Sequence, residues 1–507
     1  MPEFPIADGF YEDASLPIAS QECVNWIPQV PQTIALSRAQ LIGTPGITQF
    51  AIAGDPFSRG SHVMNSISYV ITGNLLYRVN SDGTTDSLGT ITGAAKVSIA
   101  DNGVQMCIVV PGSTAYIYTV ASGLVTITDS DFTTTLGPSQ QVVFVDGYFV
   151  HFNNDSAASS SPIFFISNLK DGTAYDALDF GTAEADPDNI TGIHVSRNQL
   201  YIGGGQTIEP FANIGGAGFP FQRISGGVVP KGVKAKFSMV EFDDSYAFVG
   251  GGLNEQPSVW RFTGSSGQKI STAAIDNVIQ SLTDAEQENI FCTVYGENGG
   301  FFLNVHMGNR VLTFDSAASA LSGSPKWHER KSKDINGNDT VWRVNGIIKA
   351  YGKTLVTDTQ SGQIGVLGRD SYTEYDADIT RAFTVIPFQA EGENITIGEM
   401  ELTCESGVGL EPKEQSTFPI QFPYIFGDDS LAAGSDPQIT RSYSDDGGIT
   451  FGNETSRALG KQGERNKRQI WRRDGQLKRY RVYRFSMSAP VKPVVIKLEA
   501  DLVLDAD

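Results

Sequence analysis

The feature that most constrains this chain is a short two-strand unit that recurs through its first three quarters. In each copy an apolar strand meets a Gly, Asn or Asp turn, and a second strand rich in aromatic and β-branched residues follows. The first copy reads Ser68-Tyr69-Val70-Ile71-Thr72-Gly73-Asn74-Leu75-Leu76-Tyr77, and a later one Val142-Val143-Phe144-Val145-Asp146-Gly147-Tyr148-Phe149-Val150. The pattern returns around Arg197-Asn198 and Asp243-Asp244, with weaker copies at Asn102-Gly103, Asn298-Gly299 and Tyr351-Gly352. The turns fall roughly 30–55 residues apart, the period of propellers and other arrays. One such unit cannot bury its own apolar face, so copies must stack on each other.

Composition supports strands over helices. Of 507 residues 54 are Gly, and the strands draw on 29 Phe and 17 Tyr, while amphipathic helical periodicity is scarce. That combination reads as all-β with many tight turns. One short helix is expected over Asn277–Asn289. The expected architecture is a β-propeller of six or seven blades, seven favoured, with units centred near 70, 103, 147, 197, 244, 299 and 351 and an insertion around Ser316–Ser324. Residues 1–46 read as an extended N-terminal arm, broken by Pro2, Pro5, Pro17, Pro28, Pro31 and Pro45 but carrying Phe10, Tyr11, Trp26 and Ile27 for packing. Residues 47–378 hold the repeats. Residues 379–507 read as a C-terminal β-sandwich-like domain. Its strands are expected at Phe383–Ile386, Ile395–Ile397, Tyr480–Met487 and Val494–Leu504, with a polar loop over Glu411–Pro437 and a hairpin at Ser444–Gly448.

Charge is segregated. The net charge is −20, which favours solubility and disfavours indiscriminate nucleic-acid binding. Between Arg457 and Arg484, however, eleven Lys or Arg face only Glu464 and Asp474, a local balance of +9; the rest of the chain carries −20 − 9 = −29. Arg457, Lys461, Arg465, Lys467, Arg468, Trp471, Arg472, Arg473, Lys478, Arg479 and Arg481 are the candidate interface residues of this segment, 457–484. Arg beside Trp suits phosphate and stacking contacts. The acidic remainder would repel a duplex within a screening length, which favours an acidic partner over naked DNA. The plain alternative is a solvated hairpin face balanced by the protein's own acids.

The search for chemistry finds turns rather than sites. Ser444-x-Asp446-x-Gly448-x-Thr450-Phe451 fits the Asp-box pattern of sialidases and other propellers, a hairpin whose Asp and Ser bond back to turn amides while Gly takes positive φ. It occurs once and outside the repeats, so a structural turn is expected. His62, His151, His194, His306 and His328 show no HxH or HExxH spacing, and no metal site is expected. Gly203–Gly205 and Gly250–Gly252 lack the helix start, Lys or dinucleotide spacing of a phosphate cradle, and read as tight blade turns. The carboxylates of Asp243-Asp244 and Asp445-Asp446 are adjacent, whereas glycoside hydrolysis needs two across a cleft. Cys23, Cys107, Cys292 and Cys404 are far apart and read as free thiols of a protein folded in a reducing compartment. No apolar run approaches about 18 residues and the start lacks a basic-then-apolar pattern, so neither membrane insertion nor a secretory signal is expected. No catalytic residue, cofactor or metal is assigned, and the chain reads as non-enzymatic.

Three groups of motifs carry a resemblance. They are Ser20-Gln21-Glu22-Cys23-Val24-Asn25-Trp26-Ile27-Pro28 with Gly43-Thr44-Pro45-Gly46; Arg59-Gly60, Gly73-Asn74-Leu75-Leu76-Tyr77 and Ala100–Met106; and Ser444–Gly448, Gly460-Lys461-Gln462-Gly463-Glu464, Trp471-Arg472-Arg473 and Pro490-Val491. Spread over nearly the whole chain, they resemble the tail-hub proteins of short-tailed bacteriophages, also named packaged-DNA stabilisation or head-completion proteins. The departures are Asn25-Trp26-Ile27-Pro28, where a Tyr is expected before the Pro, and Phe451, where Trp is common. The resemblance implies a structural virion tail component made in the host cytoplasm. It further implies a homo-hexameric ring below the portal and its adaptor, closing the DNA channel after packaging, with tailspikes or fibres at its periphery and a needle or plug at its tip. Genomic DNA would pass without sequence-specific binding. The rival readings are a propeller glycoside hydrolase, sialidase-like or a tail depolymerase; the nozzle protein of another short-tailed phage lineage; and a cellular peptide-binding propeller.

Overall fold

The computed structural model describes residues 2–504 apart from 7, 14, 16–18, 38, 55–56, 154–162, 187, 217, 264–265, 298, 386–387, 390–394, 411–433 and 478–479. The chain divides into two compact units. One comprises Thr48–Ser316 and Trp342–Leu367; the other gathers Met1–Ile47, Ala317–Val341 and Gly368–Asp507.

The first unit follows from its turns. At Asp146-Gly147, Arg197-Asn198, Asp243-Asp244 and Tyr351-Gly352 both turn residues take positive φ. This is the two-residue turn whose twist matches the strands it joins, and it selects Gly, Asn and Asp. The flanking residues pair as Val145↔Tyr148, Ser196↔Gln199, Phe242↔Ser245 and Ala350↔Lys353. Hairpins also close at Asp101↔Met106 and Glu297↔Gly300. Each of these joins the first and second strands of an antiparallel meander. The first sheet differs from the sequence pattern: its equivalent turn is Asn65-Ser66, between Ser58–Met64 and Ile67–Thr72, and Gly73-Asn74 joins the second and third strands. Both hairpins of that sheet alternate apolar strand and turn, so the repeat pattern slips there by one strand.

First strands touch in a closed cycle. Val344–Ala350 meets Ser58–Met64, which meets Ser98–Asp101, then Gln141–Val145, Ile190–Ser196, the turn of 3-10 helix Lys236–Ser238 with Val240–Phe242, and Phe291–Glu297, which returns to Val344–Ala350. Radial meanders around an axis form a β-propeller. Its core lies between neighbouring sheets: Met64, Tyr69, Ile71 and Leu76 pack on Met106, Ile108, Tyr116 and Tyr118, and Cys107, Val109 and Ile117 pack on Val142, Phe149 and Phe165. Closure uses an early segment, since Gly46–Ile52 adds to Gln363–Gly368 as a further strand of the sheet begun by Val344–Ala350. The helix expected over Asn277–Asn289 is two helices, Ala273–Gln280 and Asp284–Glu288, because Thr283 and Glu286 form a reciprocal capping box that starts a second one. The insertion at Ser316 is the helix Ser316–Ser322.

The second unit is a β-sandwich. One sheet orders Gln469–Leu477, Ile395–Cys404, Val494–Leu504, Gln40–Gly43 and Trp26–Gln29; the other orders Lys326–Lys333, Cys23–Val24, Arg381–Thr384, Tyr480–Met487, Gln438–Ser444 and Gly452–Ala458. Trp26, Phe383, Met400, Leu402, Trp471, Tyr483, Phe485 and Leu498 fill the space between them. Most of the polar loop expected over Glu411–Pro437 lies outside the described residues. All four cysteines are free and buried.

Candidate functional site

Two lysines of the propeller bridge sheets that are not neighbours in its cycle. Lys96, beside the first strand Ser98–Asp101, reaches past the neighbouring first strand to donate from Nζ to Asn345 O and Oδ1, both at 3.1 Å, and lies 4.0 Å over the Phe291 ring. Lys236 spans a similar gap to Gln140 Oε1 at 2.9 Å. Burial pushes the Lys96 amine down to about 8. One serine stands beside an imidazole: Ser139 Oγ lies 3.0 Å from His151 Nδ1, and Tyr175 OH 3.0 Å from Nε2. The three are buried, Ser139 also donates to Gln141 O, and burial pushes His151 down to about 3, so this is a core network that holds its imidazole neutral. Among the described residues no group of three or more His, Cys, Asp or Glu is placed to hold a metal ion.

The glycine runs begin inside strands and end at turns, where Gly204 N donates to Thr207 O and Glu255 N to Gly252 O. Gly203 and Gly250 lie inside strands, and a Cβ on them would stand 2.6 Å from Val233 Cγ2 and 1.9 Å from Gly232 O. They allow Gly232–Val233 to approach, a packing need that looks in sequence like a loop. The Asp-box segment is a hydrogen-bonded turn between Gln438–Ser444 and Gly452–Ala458. Ser444 Oγ accepts from Gly448 N at 2.8 Å, and the Asp446 carboxylate accepts from Ile449 N and Thr450 N, both at 3.0 Å, and from the Thr450 hydroxyl. Gly448 has φ +95° and sits against Ser20, where a Cβ would come 2.8 Å from Oγ. The Ser444 hydroxyl, which donates to Asp446 Oδ1 at 2.5 Å, holds the Asp446 carboxyl well below its usual range, with the Thr450 hydroxyl and the turn amides adding to it. The Phe451 ring lies under the Arg484 guanidinium at 5.9 Å.

The basic segment sorts into three groups. Trp471 and Arg481 are buried rather than available for contact, which corrects their place among the interface candidates. Trp471 is 2% exposed, donates Nε1 to Thr455 O at 3.2 Å and packs edge-on against Phe485. Arg481 binds Asp445 from Nε at 2.6 Å and Asp474 O from a terminal nitrogen at 2.7 Å. A second group is exposed but partnered: Arg468 pairs with Glu401 and Arg472 with Glu399, and Arg457 donates to Ile470 O and lies over Trp471. The third group, Lys461, Arg465, Lys467 and Arg473, is exposed with no carboxylate partner among the described residues. Lys478 and Arg479 lie outside the described residues.

Comparison with known proteins accounts for both units. A family described as "Bacteriophage P22 Gp10, beta-propeller" matches residues 2–372, and a second, "Bacteriophage P22 Gp10, beta-sandwich", matches residues 381–503. The chain belongs to the phage P22 Gp10 family. Tail hub protein gp10 of Salmonella phage P22 is 25% identical over 496 residues, 94% of each chain. Among solved structures, the N-terminal domain of Nup159 is 12% identical with a TM-score of 0.40, covering 69% of this chain and 99% of that one. The WD40 β-propeller domain of Doa1 is 11% identical with a TM-score of 0.36, covering 64% and 97%.

The motifs of this Gp10-family chain have structural work that the sequence did not reveal. The Arg59 guanidinium, 1% exposed, donates to four main-chain carbonyls, those of Gly73, Ile91, Thr92 and Ala95, at 2.9–3.1 Å. Beside it, a Cβ on Gly60 would lie 2.5 Å from Val97 Cγ2. Asn25, at φ 56°, binds Lys331 O and Thr380 O through Nδ2 and accepts from Lys331 N. Gly43 and Gly46 make room for Pro493 and for the carbonyls of Ser371 and Thr373. In Gly460–Glu464 the glycines take positive φ, and Glu464 accepts from Lys461 N. A motif glycine hints at such close approaches, but the partners of Gly43 and Gly46 lie hundreds of residues away.

Proposed function

We propose that this chain is a structural tail hub of a short-tailed phage, built into the virion tail after synthesis in the host cytoplasm, and that it acts without catalysing a reaction. Six copies form a ring below the portal and its adaptor, close the DNA channel after packaging, and hold tailspikes or fibres at the periphery and a needle or plug at the tip. The observation that carries this reading is the family match across both units, together with a P22 tail hub relative aligned over 94% of each chain. We read the propeller as seven-bladed, one blade for each first strand in its cycle. A closed ring of identical subunits needs two different, complementary faces. The exposed cations of segment 457–484 and the −29 remainder are such a pair. Acidic channel walls let genomic DNA slide without sequence-specific binding.

Imaging of virions carrying this protein tests the reading. A sixfold ring at the head–tail junction is expected; tails lacking the protein, or holding it without sixfold order, would overturn it. Charge reversal at Arg472 and Arg473 is expected to block ring assembly or attachment to the head. No release of glycan from host polysaccharide is expected from the purified protein.

A further inference from the structure

One rim strand of the propeller is exposed in an unusual way. Asp171–Thr182 is the outer strand of the sheet begun by Gln141–Val145. Its pairing runs Phe165↔Phe180 and then Ser167↔Tyr175, so Asp176-Ala177-Leu178-Asp179 stand opposite the single residue Ile166. Such a bulge bends the strand outward. It leaves Leu178 80% exposed and the following Phe180 41% exposed.

The free backbone edge beside this bulge is already used. Asp129 and Asp131 carboxylates accept from Tyr175 N and Ala177 N at 3.4 and 3.3 Å, which shields the edge from strand addition. What remains is an apolar tip among carboxylates. Asp176 and Asp179 have no Lys or Arg partner among the described residues, and the Asp179 carboxyl is raised by burial and by the neighbouring Asp176 charge. A cation on long aliphatic stems fits this surface, because the stems cover Leu178 while the heads meet the carboxylates.

The chain carries such a group on a stiff loop. Ser406 Oγ donates to Arg465 O at 2.7 Å, Gly407 N to Leu459 O at 3.0 Å, and Gly463 N to Gly407 O at 3.2 Å. The loop is therefore fixed before any partner arrives, which lowers the ordering cost of binding. We propose that the bulged rim strand around Leu178 docks the cationic loop Lys461–Lys467 of a second copy of this chain. This rests on the ring reading above and supplies the two unlike faces that a closed ring needs.

A zero-length carbodiimide joins an amine only to a carboxylate that touches it, so virions treated this way and analysed by peptide mass spectrometry test the contact. Links from Lys461 or Lys467 to Asp176 or Asp179 are expected. A charge swap provides the second arm. D176K/D179K and K461E/K467E, each checked for a native melting transition, should each lower incorporation into tails by about tenfold, the effect of about 1.4 kcal/mol. The combined variant should restore it. Normal incorporation of both single-sided variants, or folded variants that the combination fails to rescue, would overturn the proposal. If the wild-type protein sits in the tail but its lysines link only elsewhere, this contact is wrong and the hub reading stands; if the protein is missing from tails, the hub reading itself fails.

Discussion

The two units solve the same burial problem over very different lengths of chain. In the propeller, apart from the closing strand Gly46–Ile52 and the Lys96 bridge to Asn345, strands pair with their chain neighbours, and the buried Arg59 finds its carbonyls only 14 to 36 residues away. In the sandwich unit, Asn25 binds residues 306 and 355 positions away, Thr384 donates to Ser20 O across 364, and Arg484 binds Glu22 across 462. Buried charge is handled in two ways. Arg59 rests on main-chain dipoles, whereas Arg441–Asp474 and Arg330–Glu374 in the sandwich unit, like Arg343–Asp358 in the propeller, are ion pairs between largely buried side chains. An array can add up neighbour-by-neighbour stability. A sandwich assembled from distant segments must first close long loops, and its ion pairs add little until both partners are in place.

That contrast can be broken or sharpened by experiment. The largest effect is expected from Asp474→Ala, which strands the Arg441 guanidinium between Trp471 and Tyr483 and removes the acceptor of Tyr483 OH. Loss of one partner of a buried pair costs about 3–5 kcal/mol. Denaturant unfolding should show the sandwich transition moving early while the propeller transition holds; a single transition that shifts as a whole would erase the distinction between the units. Arg59→Met should do the reverse. It leaves four main-chain carbonyls, that of Ile91 buried, without their guanidinium donor and should cost the propeller about 2–3 kcal/mol, read by the same titration.

A smaller, pH-dependent effect comes from His151. Its pKa is about 3 when folded and about 6.5 when unfolded. Between those values the unfolded chain binds the extra proton, so the stability this group contributes is present above 6.5 and is lost as pH falls. About 1 kcal/mol should go between pH 6.5 and 5.5, and His151→Gln should flatten that slope in propeller unfolding curves. The smallest effect is local. The depressed Asp446 carboxyl stabilises its turn above the ordinary carboxylate range and releases it as pH falls below that range. Protection of the Gly448 and Thr450 amides, corrected for intrinsic exchange, should fall in acid, whereas Asp446→Asn should lower it at every pH.

What was legible in the sequence follows the same divide. Each turn joining the first and second strands of a propeller sheet carries at least one Gly, Asn or Asp, which accept the left-handed backbone readily, although Ser66, Arg197 and Tyr351 adopt it beside them. The pattern still could not choose between Asn65-Ser66 and Gly73-Asn74 as the equivalent turn of the first sheet. The terminal sandwich strands Tyr480–Met487 and Val494–Leu504 were readable from alternation. The basic segment was visible as a sum of charges, but its sorting was not. Glu399 and Glu401, which pair with Arg472 and Arg468, come from a strand 67 to 73 residues earlier. Nothing local marks Trp471 and Arg481 as buried rather than exposed.

The strand Gly46–Ile52 has a consequence in time rather than in space. It completes the last sheet of the propeller beside Gln363–Gly368, so the first repeat residues to leave a ribosome must wait for some of the last. Until about residue 368 has emerged, the growing disc is an open arc with two unfinished ends. Each end shows the apolar face that a neighbour should cover, so the interval before closure is when this chain most needs to be kept away from other copies of itself.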